Sequence, residues 1–64
     1  MDNNNKKQLS AVLVDGTVTS ATVLIRAASR ALKMARQEPW VLGDRKRFTI
    51  KVGKEFLSFD VTFE

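Results

Sequence analysis

Four cationic side chains in one short stretch are the residues best suited to bind a charged ligand. They are Arg26, Arg30, Lys33 and Arg36. At about 100° per residue on a helix, the first three fall on one face and the fourth lies at its flank. No acidic residue occurs between Asp15 and Glu38 to neutralise them, and unpaired cations of this kind suit phosphate contacts. The alternative is a solvated face, because Arg and Lys favour helices and the negative end of the helix dipole.

A second cationic cluster precedes the most regular alternating pattern in the chain. Arg45 and Lys46 are predicted to extend the nucleic-acid-binding surface, and Arg47 is expected to pair with Asp60. The alternative is that these charges protect an edge strand from pairing with another sheet.

Two aromatic residues are candidates for a partner or dimer interface. Trp40 follows Pro39 in a predicted loop, where it could anchor a partner or fold back over the core. Phe56 interrupts the alternation of its strand, so we expect it on the outer side of the sheet, opposite Lys51. It would then be either a lone exposed aromatic or part of an interface between copies or with a partner.

Catalytic and metal-binding residues are scarce. The sequence has neither His nor Cys, which removes the commonest general base, the thiolate nucleophile and nearly every zinc pattern. The carboxylates are scattered, and no glycine-rich phosphate loop occurs. We therefore expect a protein that is not an enzyme and that has no catalytic residues, no metal and no cofactor.

A helix from residue 20 to residue 37 must position the first cationic group. The segment contains no Gly or Pro and is rich in Ala. Thr19 or Ser20 can cap its start, and Pro39 ends it near Gln37. Its apolar arc is predicted to pack on a sheet; that arc comprises Leu24, Ala27, Ala28, Ala31, Leu32, Met34 and Ala35.

Two hairpins are predicted around this helix. Gly53-Lys54 fits a type II′ turn that pairs residues whose numbers sum to 107, so that Phe48 faces Phe59. Asp15-Gly16 fits a type I′ turn between a strand that begins near Leu9 and a short strand, Thr17 to Thr19. The predicted order is therefore ββαββ with a short first hairpin.

The sequence thus predicts an α+β domain over residues 8–64, a small antiparallel sheet with one amphipathic helix across one face, preceded by a disordered tail over residues 1–7. The net charge of +4 favours nucleic acid, DNA or RNA, or an acidic protein surface as partner. So short a chain also has reason to form a homodimer. We expect a cytoplasmic protein with no membrane segment that contacts nucleic-acid phosphates with little sequence specificity. The alternative is a protein-interaction module, a small regulator or inhibitor that uses an exposed aromatic or a sheet edge.

Overall fold

The architecture is a three-stranded antiparallel sheet with one helix. A computed structural model describes residues 8–64; the predicted tail over residues 1–7 lies outside them. The elements are β1 Leu9–Asp15, α1 Ala21–Ala35, β2 Arg45–Val52 and β3 Glu55–Phe63. The strand order is β1-β3-β2, with β3 antiparallel to both neighbours, and α1 packs on one face. The predicted α+β class is confirmed.

The predicted first hairpin is wrong, and with it the ββαββ order, which is β-α-β-β. Residues 17–20 form no strand. β1 pairs instead with β3, from Leu9 opposite Phe63 to Asp15 opposite Ser58. A ladder along seven-residue β1 outweighs pairing with a three-residue strand. Asp15 also lacks the positive φ that a type I′ turn requires, since all the positive φ angles in residues 8–64 belong to glycines.

Gly16 serves a different purpose from the predicted turn. Its φ is +116°, and a Cβ at this position would lie 2.6 Å from both Leu57 Cδ2 and the Phe56 carbonyl oxygen. The chain therefore leaves β1 in close contact with β3, at a place where only glycine fits without strain.

The helix begins as predicted and ends slightly early. Ser20 is the N-cap, with an extended backbone and a hydroxyl that accepts from the Val23 amide at 3.2 Å. The α-helix ends at Ala35 rather than Gln37, because two amides beyond it bond to carbonyls three residues back instead of four. The Gln37 amide donates to the Met34 carbonyl at 3.1 Å and the Glu38 amide to the Ala35 carbonyl at 3.0 Å. Tightening of the last turn is common at helix ends.

The β2–β3 hairpin has the predicted register. Phe48 faces Phe59 and Ile50 faces Leu57. Gly53 has φ +62° and Lys54 has a negative φ, the combination of a type II′ turn.

The core lies between α1 and one face of the sheet, here called the helix face. Its buried members are Ala27, Ala31, Ala35, Phe48, Ile50, Leu57, Phe59 and Val61. The three alanines let the helix approach the sheet closely, since they have no side chain beyond Cβ. Met34, predicted on the buried arc, is 44% exposed because it lies at the margin of this alanine row. No helix within residues 8–64 is long and apolar enough to cross a membrane.

Candidate phosphate-binding surface

Three of the four predicted helix cations lie on the side of α1 that faces away from the sheet. Ala27, Ala31 and Ala35 are fully buried beneath the helix. That orientation leaves the side chains of Arg26, Arg30 and Lys33 exposed. Capping by Ser20 and burial of the alanine row therefore position the three charges.

The end of β2 adjoins two of these arginines. Arg26 and Arg30 line a shallow depression of about 220 Å³ together with Lys51, Val52 and Gly53. The Arg30 guanidinium donates to the Lys51 carbonyl oxygen at 3.4 Å. The Lys51 ammonium itself lies on the sheet face away from α1, beside Phe56, so we call Arg26, Arg30 and Lys33 the basic surface.

None of the helix cations in this surface has a carboxylate at ion-pair distance within the described part of the chain. Between Gln8 and Glu64 the ion pairs are Lys46 with Glu38 at 3.4 Å and Arg47 with Asp60 at 2.8 Å. The charge of the basic surface is therefore available to an external anion.

Arg36 lies apart from the other predicted helix cations. It borders a second depression with Gln8, Leu9 and Phe63, on the side of α1 that faces β1. The structure therefore places Arg26 and Arg30 at one depression and Arg36 at another. Lys33 is about 60° around the helix from both Arg30 and Arg36 and lies between them.

Arg45 and Lys46 point to opposite sides of β2. Arg45 is exposed and shares the face away from α1, the outer face, with Arg47 and Thr49, since Phe48 and Ile50 fill the helix face. Lys46 is engaged locally: its Nζ donates to the Pro39 carbonyl at 2.9 Å and lies 4.7 Å from the Trp40 ring centroid.

The predicted pair of Arg47 and Asp60 is present across β2 and β3. The Arg47 Nε donates to Asp60 Oδ1 at 2.8 Å. This hydrogen bond lowers the pKa of Asp60 and raises the pKa of Arg47.

The two candidate interface aromatics differ in exposure. The Trp40 Nε1 donates to the Ala35 carbonyl at 2.6 Å, and its ring lies 6.3 Å from that of Phe63, so it covers the end of the helix. Phe56 is 60% exposed on the outer face, with Lys51 Nζ 5.9 Å from its ring centroid.

The sequence did not predict that the end of β2 lies beside the helix cations. Lys51 and Gly53 are 21 or more positions beyond Arg30, and only the strand order reveals that β2 is the edge beside them. Within residues 8–64 there is no cluster of three or more potential metal-ligating side chains of the His, Cys, Asp or Glu type.

Comparisons of the chain with known proteins find no matching family model, no significantly similar curated protein and no significantly similar solved structure.

Proposed function

We propose that the chain binds nucleic acid through the phosphate backbone, using the basic surface and with little sequence specificity. The observation that supports this most is the contrast among the cations. Arg47 and Lys46 have carboxylate partners, whereas exposed Arg26, Arg30 and Lys33 have none among residues 8–64. Arg45 and Lys51 on the hairpin also have none, but the three helix cations share one exposed side of a single helix.

An unpaired cationic group of this kind costs stability. Arg26 and Arg30 are four positions apart, and like charges at this spacing destabilise a helix by about 0.2–0.5 kcal/mol. Binding of phosphates removes this repulsion and releases condensed counterions. Phosphate contacts position a protein on nucleic acid but carry no base information, so the predicted specificity is low.

Titration of labelled duplex and single-stranded probes at 50–200 mM salt tests the proposal. Three phosphate contacts give a slope of log K against log salt of about −2.7 on duplex DNA for each bound copy. Arg26→Ala should reduce the magnitude of this slope by about one and weaken all sequences alike.

Arg45→Ala is the matched control. It also removes one exposed arginine, but Arg45 lies on the outer face of the sheet. It is about 20 Å along β2 from the Lys51 backbone that contacts Arg30, at a rise of about 3.3 Å per residue. We expect its slope to equal that of the native chain. Absence of binding at 50 mM salt, or equal losses for the two variants, would contradict the proposal.

A second candidate function is a protein-interaction module, a small regulator or inhibitor. It is favoured by the exposure of Phe56, which lies on the outer face of the central strand β3. This function predicts partner binding that is lost with Phe56→Ala and retained with Arg26→Ala, and little affinity for DNA or RNA at low salt.

A further inference from the structure

The strand β1 has a free edge among the described residues, where it pairs with β3 alone. Gln8 and Glu64 exchange both backbone hydrogen bonds, at 2.7 and 2.9 Å. In an antiparallel ladder such pairs alternate with pairs that do not exchange bonds. Leu9, Ala11 and Leu13 therefore direct their N–H and C=O groups away from β3, along the free edge.

The two edges of the sheet are protected very differently. β2 carries Arg45, Arg47 and Lys51, and the Lys51 carbonyl already accepts from Arg30. Charged side chains on an edge are a common means of preventing strand addition. In contrast, the sequence from Gln8 to Val14 contains no charged residue, no Pro and no Gly. The β2 edge is protected by charge. The β1 edge has a register shift between Leu13 and Asp15 and is open to regular pairing from Leu9 to Leu13.

Exposed apolar side chains border this open edge on both faces. Val12, opposite Asp60 on the outer face, is 61% exposed, and Val14, within the register shift, is 43% exposed. On the helix side, Ile25 is 63% exposed. Ile25 and Arg36 lie about 20° apart around a helix with 100° per residue, and Arg36 borders Gln8 and Leu9, so Ile25 lies on the flank of α1 that faces β1.

We propose that β1 pairs antiparallel with β1 of a second copy, so that two three-stranded sheets become one sheet of six strands. Two copies of net charge +4 repel each other. The β1 strand carries one charged residue, Asp15 at its end, so at this edge no cation of one copy has to face a cation of the other. A two-fold contact also requires a surface that complements itself, and the uncharged stretch from Leu9 to Val14 does so in antiparallel pairing.

The exposed side chains select the register of this pairing. Placing Val12 opposite Val12 makes a pair that does not exchange hydrogen bonds, in which side chains approach most closely. Ala11 then exchanges both bonds with Leu13 of the other copy, using groups that face the free edge. This register buries the more exposed valine against its own equivalent.

Cysteine cross-linking tests the interface. Because the native sequence has no Cys, any disulfide must join the introduced residues. Oxidation should convert Val12→Cys largely to a disulfide-linked dimer, because Cα atoms in such a pair lie about 4.5 Å apart, within the range of a disulfide. Thr49→Cys is the control. It replaces an exposed β-branched residue on the outer face of β2, the edge strand that carries charged side chains. It should stay monomeric on denaturing gels.

Sedimentation equilibrium of the native chain provides the second measurement. The expected mass is twice the 7.2 kDa of one chain, and both Val12→Lys and Val12→Glu should sediment as monomers with an unchanged far-ultraviolet circular dichroism spectrum. A native monomer at 100 µM would overturn the proposal and leave the β1 edge to a different protein. So would a dimer that cross-links through Thr49→Cys but not Val12→Cys, or one that survives both charged variants.

Discussion

Gly16 and Gly53 both have positive φ, but their surroundings differ. A Cβ on Gly53 would meet nothing within 4 Å, whereas one on Gly16 would overlap Leu57 and the Phe56 backbone at 2.6 Å. Only part of the Gly16 contact involves a side chain that can rotate; the Phe56 carbonyl belongs to the central strand. Backbone conformation is therefore the sole constraint at Gly53, while Gly16 is constrained by space as well.

Gly16→Ala should destabilise the fold by about 2–5 kcal/mol, the sum of backbone strain and overpacking. Gly53→Ala should cost only about 1–3 kcal/mol, for backbone strain without overpacking. Urea denaturation followed by circular dichroism measures both. If the two variants had equal midpoints, the close approach of Gly16 to β3 would be refuted.

At the scale of elements, α1 depends on a row of alanines. Ala31 is fully buried between the helix and the sheet, so a larger side chain there would push the two layers apart. Ala31→Leu should cost about 1–3 kcal/mol through overpacking. Ser29→Leu, on the exposed side of the same helix, should change stability by no more than about 0.5 kcal/mol. Thermal unfolding compares them, and equal losses would contradict this account of the core.

The elements predicted correctly from sequence are those whose information is local. The β2–β3 hairpin follows from its turn residues and alternation, and α1 from its period and cap. The partner of β1 could not be predicted in this way, because Leu9 pairs with Phe63 at the other end of the chain. The β-branched residues Thr17 to Thr19 favour a strand, but the long ladder with β3 takes precedence. The same non-local pairing determines which edge lies beside Arg26 and Arg30.

At the scale of the whole molecule, the two proposals have a joint geometric consequence. Antiparallel pairing of β1 with its copy places the two-fold axis perpendicular to the sheet, so both α1 helices lie on the same side. The strand order becomes β2-β3-β1 in one copy, followed by β1-β3-β2 in the other. With neighbouring strands about 4.8 Å apart, the two β2 strands are separated by about 24 Å. The dimer thus presents two basic surfaces in one direction.

A dimer of this kind should bind a long duplex through both basic surfaces. For a 20-base-pair duplex, six phosphate contacts give a slope of log K against log salt of about −5.4, twice the value of about −2.7 expected for one surface. Val12→Lys and Val12→Glu change the net charge in opposite directions, yet both should return the slope toward the single-surface value and weaken binding, because the second contact is no longer intramolecular. Equal slopes for the native chain and both variants would show that only one surface is engaged. Loss of nucleic-acid binding by all three, with cross-linking of Val12→Cys retained, would refute the proposed function and leave the dimer intact.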